Sequence, residues 1–269
     1  LTVIYTRKVI KDHIGHGVSI VLKSIFKSEG KLRRHNVYSS MVASTLTVGF
    51  GGSVGLEAPM VLTGSAIGSN LARLFNLNAK STTLLLACGS TAAVAAIFKA
   101  PIMAIVFAIE VLMLDLTSAA LLPLLISAAT GTVLSLLFLG DTLTLDIAST
   151  QFFFLKNIPF YIILGILTGF ISIYFLRLLR FIEKSFQKIK WIQLKILIGG
   201  VVLGALILLL PVLFGEGYES INALLRGDVV NLFERSPLFL LSQRHWMLII
   251  FLILIIFLKV IATAVTTSA

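Results

Sequence analysis

Long apolar runs alternate with short ones along this chain, and that alternation constrains the fold more than anything else in it. Ile158 to Ile182 and Trp191 to Phe214 read as near-continuous apolar stretches. Each is long enough to cross the roughly 30 Å of bilayer hydrocarbon as a helix. Lipid offers no water to satisfy backbone N–H and C=O groups, so a segment at that depth must be helical or belong to a closed barrel. A barrel would show short segments of alternating polarity, and the runs here do not alternate. Composition agrees: 58% of residues are hydrophobic, 13% are charged, and the mean hydropathy is +1.03. Soluble domains hold about 25% charged residues. A water-soluble enzyme domain, a disordered tail and a disulfide scaffold are excluded. The single cysteine, Cys88, sits among small residues and reads as a buried apolar side chain.

The remaining runs are not uniform. Leu116 to Leu139 and Trp246 to Val265 are full spans, and Ser81 to Phe98 is rich in Ala, Gly, Ser and Thr. Glu57 to Phe75 reads as a helix ending at Asn76, and Val37 to Phe50 as a helix that runs into glycines. Ser19 to Glu29, Ile102 to Leu114 and Ser220 to Leu225 are too short to cross. Long spans mixed with helices that stop partway point to broken helices lining a site near the midplane. Irregular backbone at that depth is tolerated only when protein buries it or when it lines a cavity. The pairs Gly64/Gly68 and Gly200/Gly204 are expected to let helices approach closely.

A net charge of +10 would suit nucleic acid, but its distribution argues against that partner. Eight of the 22 Lys and Arg fall between Arg7 and Arg34, and six between Arg177 and Lys195. Basic clusters flanking apolar spans mark the cytoplasmic face. The loop holding Asp141 and Asp146 has no neighbouring bases and is assigned to the outside. The expectation from this distribution is an integral membrane protein. The chain opens on Leu1 and stops at Ala269, straight after an apolar run. It is expected to be a piece of a longer protein, without a signal peptide.

The most informative stretch is Gly51-Gly52-Ser53-Val54-Gly55-Leu56-Glu57-Ala58-Pro59. Its glycines end one helix and permit a tight non-helical turn. Pro59 is tolerated in the first turn of the next helix, which is predicted to start near Glu57. The N–H groups and positive dipole end of that helix form an anion site. Three readings of Glu57 stand together: a helix-end charge at the interface, a packing carboxylate paired with a buried base, or a mobile carboxylate competing with a substrate anion. An ionisable group inside a span is a functional candidate by default. Glu110, at the end of a short helix, reads as a structural carboxylate bonded to backbone or as a proton-path residue. Gly15-His16-Gly17-Val18-Ser19 is a second glycine turn before a short helix, and His16 offers ring nitrogens as donors to an anion.

Taken together these pieces resemble the CLC family of chloride channels and chloride/proton antiporters. Gly55-Leu56-Glu57-Ala58-Pro59 is similar to that family's G-x-E-G-P motif, and Lys99-Ala100-Pro101 through Glu110-Val111 to its N-A-P-x-x-G-x-x-F-x-x-E stretch. Gly15-His16-Gly17-Val18 stands where the family has G-S-G-I-P, Gly215-Glu216-Gly217-Tyr218 resembles its G-x-G-Y turn, and Lys259 to Thr263 its K-x-x-A-T segment. The resemblance implies an all-α polytopic membrane protein with an inverted-repeat fold of broken and tilted helices. It places a first half over residues 1–140 and the start of a second over 141–269. It makes Glu57 the gating glutamate and His16, Gly17, Gly55, Ala58 and Pro59 the anion-binding positions. Glu110 matches the first, structural acid of the family's paired inner glutamates. Val111 stands where antiporters carry the second, proton-transferring one. Valine cannot relay a proton, so the reading leans to a voltage-gated-type chloride channel, with a chloride/proton antiporter as the alternative. Ala58 for glycine, His16 for serine and Ser19 for proline are departures from the motifs.

The resemblance also implies chloride as the ligand, protons in the exchanger reading, a homodimer and a bacterial inner (plasma) membrane. No metal, nucleotide or nucleic-acid motif is visible in the residues, so no cofactor, no metal, no catalytic residue and no nucleic-acid partner are expected. The 269 residues alone are expected not to complete a pore. Two rivals remain at this level. Gly51-Gly52-Ser53-Val54-Gly55 fits G-x-S-x-G, which with His245 as base would make an intramembrane serine hydrolase. The other rival is a non-transporting assembly subunit.

Overall fold

The structure, a computed structural model, describes residues 2–11, 17–113, 117–140, 154–227 and 245–268. It is all-helical among those residues and falls into two compact units. One comprises Leu1–Thr47 with Gly55–Leu145, the other Val48–Val54 with Asp146–Ala269.

In the first unit a short helical segment, α1 (Thr2–Ile4) continuing to Ile10, precedes α2 (Gly17–Lys27) and α3 (Ser39–Gly49). Then come α4 (Glu57–Leu74), α5 (Ala79–Phe98), α6 (Pro101–Val111) and α7 (Ser118–Leu139). Helix α2 buries Gly17, Val21 and Ser24, spaced four and three apart, so one stripe faces inward. That stripe joins a core built from Val21, Leu62, Leu86, Ala104 and Leu124. Asn78 caps α5, its side-chain oxygen accepting from the Ser81 N–H at 2.8 Å. Lys99 then turns left-handed at φ 50°, and Pro101 opens α6 at a position where its missing N–H costs nothing. With 11 residues, α6 covers about 16 Å at 1.5 Å per residue, roughly half of a bilayer core.

Helices α4 and α5 pack backbone against backbone. A Cβ placed on Gly64 would strike the Gly89 carbonyl, one on Gly89 would strike the Gly64 carbonyl, and one on Gly68 the Leu85 carbonyl. Small residues let transmembrane helices approach this closely. Helix α7 reaches α5 with hydroxyls: Ser127 donates to the Cys88 carbonyl at 2.5 Å and Ser135 to that of Ala96 at 2.6 Å. Cys88 is buried, as its neighbours suggested.

The loop after α2 is tied to α4 through one hydroxyl. Ser69 Oγ donates to the Gly30 carbonyl at 2.6 Å and accepts from the Leu32 N–H at 2.9 Å. Ser69 is fully buried. Ser69→Ala strands a donor and an acceptor together, which is expected to cost about 2 kcal/mol. Denaturant titration in detergent checks it.

The second unit holds α8 (Ile158–Gln187), α9 (Ile192–Leu209), α10 (Tyr218–Leu225) and α11 (His245–Ser268). The run expected to continue to Phe214 stops being α-helical at Leu209, because Pro211 removes a backbone donor and its ring clashes with the preceding turn. Helix α8 extends past the expected Ile182 to Gln187. Lys259 of α11 donates to the carbonyls of Gly215 (2.8 Å) and Leu213 (3.3 Å), holding the reversal between α9 and α10. Gly215 and Gly217 take φ of 65° and 96° in that reversal. Tyr174 and Phe257 meet edge to face at 5.1 Å, joining α8 to α11. Among the described residues, five segments are long and apolar enough to cross a membrane: Ala79–Phe98, Ala119–Leu139, Leu155–Gln187, Ile192–Leu209 and Ile249–Ser268. The expectation of close packing holds for Gly64 and Gly68 but not for Gly200 and Gly204, where a Cβ would meet nothing within 4 Å. No described helix lies against that face of α9.

Candidate functional site

The glycine break ends where the sequence places it. Helix α4 starts at Glu57, and its N-cap is Leu56 at φ −95° and ψ −2°. Leucine has no side-chain acceptor, unlike the Ser, Thr, Asp or Asn that usually serves there. A helix N-terminus concentrates about half a positive charge, and here the residue just inside it is a carboxylic acid. The Glu57 side chain folds back toward the break. A Cβ on Gly55 would overlap Glu57 Oε2 and lie 2.9 Å from Cδ. Only a residue without a side chain at position 55 leaves room for the carboxylate in that pose.

Helix α2 brings a second N-terminus to the same place. At its first residue, Gly17, an added Cβ would overlap the Ala58 carbonyl oxygen, 2.7 Å from its carbon and 3.4 Å from Leu62 Cβ. Two helix starts, each preceded by a glycine turn in the sequence, thus converge within the first unit. Gly17, Gly55, Glu57 and Ala58 are brought together, with Pro59 in the first turn of α4. The contact of Gly17 with Ala58 carries no sequence signal, because the two lie in separate helices. His16 and Gly15 lie outside the described residues.

Upstream of Gly55, the Gly51–Ser53 segment is buried. Gly51 has φ 99° and lies beside Ile207 and Phe214. The Ser53 N–H donates to Thr266 Oγ1 at 3.2 Å, and that hydroxyl donates to the Ala262 carbonyl at 2.7 Å. Thr266 was not singled out by its sequence position.

A model of the voltage gated chloride channel family matches residues 1–269. The chain belongs to that family. Among its relatives, a ClcB-like protein of Ralstonia nicotianae is 28% identical over 216 residues, covering 78% of this chain and 50% of the relative. The voltage-gated ClC-type chloride channel ClcB of Shigella boydii is 29% identical over 189 residues, covering 68% of this chain and 44% of that protein. The CLC chain therefore spans about half the length of these curated relatives. A slow cyanobacterial Cl−/H+ antiporter has the same fold, with a TM-score of 0.72 and 22% identity over 95% of this chain and 57% of the other. A CLC-type fluoride/proton antiporter matches with a TM-score of 0.67 and 22% identity, over 98% and 62%. The all-α polytopic CLC fold and an integral membrane protein are thereby established, in a family of channels and transporters.

Two further positions of the CLC motif, Glu110 and Val111, stand apart from the Glu57 break. Glu110, the penultimate residue of α6, is exposed and makes no hydrogen bond or ion pair among the described residues. The backbone bond expected for it as a structural carboxylate is not among them. Val111 ends the helix half-buried. Lys99 occupies a left-handed position where the motif has asparagine, a residue that enters that region more readily. The hydrolase alternative loses its context: Ser53 sits between α3 and α4 rather than between strand and helix. His245 opens α11.

Proposed function

We propose that this CLC chain contributes the glutamate-gated anion pathway of a chloride channel or transporter, with Glu57 as the gate. The observation that carries the reading is the packing of the α2 N-terminus against the first turn of α4, next to a carboxylate folded against Gly55. An anion is favoured where two positive dipole ends meet. A carboxylate on a flexible stem can hold that place when charged and leave it when displaced or protonated. His16, Gly17, Gly55, Ala58 and Pro59 are proposed to line the anion position, with chloride as the ligand. Relatives named as chloride channels support chloride.

The reading is channel-like at its inner end. Val111 offers no exchangeable proton, so that position supplies no side-chain relay for protons moving toward Glu57. The chloride/proton antiporter is the second reading, favoured by the antiporters among structures of the same fold; it requires water rather than a side chain to carry protons to Glu57. In either case the bacterial inner membrane and a homodimer are family-level assignments. A full-length protein in liposomes, with chloride electrode and pH dye read together, separates the two. A chloride gradient is expected to drive no proton uptake. Proton uptake against its own gradient would overturn the channel-like reading.

Gly55 gives a second test of the gate. Gly55→Ala displaces the Glu57 carboxylate without touching its charge. It is expected to change chloride flux at neutral pH by about fivefold or more, a barrier change on the order of 1 kcal/mol, with thermal stability nearly unchanged because the flexible carboxylate can move away. Flux equal to wild type would show that the folded-back pose is not used.

A further inference from the structure

At the opposite end of α4 from Glu57, the first unit gathers a fixed patch of positive charge. Lys23, Lys27, Lys31, Arg33, Arg34, Arg73 and Lys80 are all exposed. They come from the end of α2, the loop after it, the end of α4 and the start of α5. The loop cannot wander, because it is held from three sides. Ser69 bonds both Gly30 and Leu32, Arg73 Nη1 donates to the Leu32 carbonyl at 3.4 Å, and Gly30 at φ 74° sits directly against the Thr83 backbone. The Gly30 N–H closes back on the Ser24 carbonyl at 2.9 Å.

One acid lies within the patch. Glu29 pairs with Lys31 at 2.8 Å, and the hydrogen bond and charge of that ammonium hold its carboxyl below the ordinary value. Between Gly17 and Lys80 the other acid is Glu57, which the 18 residues of α4 place about 27 Å away at 1.5 Å per residue. Net positive charge therefore dominates this end of the unit.

Large apolar side chains stand beside the cations. Phe26 is 65% exposed next to Lys27, and Leu74 and Phe75 are 74% and 65% exposed next to Arg73. The spanning segment Ala79–Phe98 begins immediately after. The cations and the exposed apolar side chains are neighbours in the chain and stand directly before a spanning segment. A phospholipid matches both, with an anionic headgroup on the cations and acyl chains on the phenylalanines and leucine. Basic side chains that merely set topology need only be on the correct side; here the loop backbone that carries several of them is held in place.

We propose that this patch is a binding site for the headgroups of anionic phospholipids in the leaflet at this end of the protein. Each Lys or Arg at a membrane surface adds to the attraction for anionic lipid, and preorganisation of the loop lowers the ordering cost of binding. The proposal is independent of the gating role of Glu57.

The test uses the full-length protein in phosphatidylcholine vesicles, with spin-labelled phosphatidylglycerol compared against spin-labelled phosphatidylcholine. The wild-type association constant for phosphatidylglycerol is expected to exceed that for phosphatidylcholine by about three- to fivefold. The triple substitution Lys27→Gln, Arg34→Gln and Lys80→Gln is expected to bring the ratio near 1, and Glu29→Gln to raise it. Lys27→Arg with Lys80→Arg keeps the charge and should keep the ratio, which separates charge from damage to the fold. A wild-type ratio of 1, or a ratio unmoved by the triple substitution, overturns the proposal. Displacement of the labelled lipid by millimolar soluble glycerophosphate would assign the site to free phosphate esters and overturn the lipid assignment.

Discussion

Glu57→Gln in the full-length protein is expected to remove most of the pH dependence of chloride flux. Glutamine is close to the shape of a protonated glutamic acid and cannot ionise. If the charged carboxylate holds the N-terminal end of α4 against the anion, the neutral variant stays permanently out of competition. Flux at neutral pH should rise, and the ratio of acidic to neutral flux should fall from about tenfold to within about twofold, which corresponds to losing roughly 1 kcal/mol of proton-linked barrier. Glu57→Asp keeps the ionisable group on a shorter stem and should retain pH dependence. Denaturant stability should change little, because the side chain is half-buried at a helix end and not part of the packed core. A variant with wild-type flux at every pH would return Glu57 to the role of a helix-end charge, and would favour a non-transporting subunit.

The largest stability effect is expected from a single methyl group. Gly64→Ala places its Cβ on the Gly89 carbonyl and 2.9 Å from Ala93 Cβ. Both neighbours belong to a helix whose backbone cannot give way locally. Helices α4 and α5 must separate, and the cost is expected at about 2–3 kcal/mol, the upper part of the range for overpacking. Gly200→Ala is the matched control. Nothing lies within 4 Å of its Cβ, and alanine is the better helix former by up to about 1 kcal/mol. Unfolding in mixed micelles should show the first variant destabilised and the second unchanged or slightly stabilised. Equal effects would mean that the α4–α5 approach is not the tight contact described.

These two glycine pairs show what a sequence of this kind can and cannot disclose. Both have the four-residue spacing that permits close approach, so pattern alone treats them alike. Which one is used depends on the partner helix, and the partner is set by tertiary packing. The Glu57 break was legible for the opposite reason. Its signals are local: glycines that release the helix, a proline that tolerates only a first turn, and an acid between them. The start of α4 follows from those nine residues with no help from elsewhere. The start of α6 was legible likewise, because Pro101 fixes it.

Contacts between distant segments left no trace in the pattern. Gly17 against Ala58, Ser53 on Thr266, and Lys259 on the Gly215 carbonyl each join residues far apart in the chain. The end of the run toward Phe214 was overestimated because hydropathy stays high through Pro211, while the backbone needs the N–H that proline lacks. The loop after α2 appeared only as a basic cluster marking one face. Its rigidity comes from Ser69, a residue with no charge and no unusual neighbours in the sequence.

The central claim is that the Glu57 carboxylate and a chloride ion compete for the N-terminal end of α4. Crystals of the full-length protein grown in bromide test it most directly, because the anomalous signal of bromide locates the anion itself. In Glu57→Gln, a bromide peak is expected within hydrogen-bonding distance of the Ala58 N–H, with no peak at that position in the wild type with Glu57 charged. No peak there in the variant, or the same peak in both proteins, would contradict competition for that place.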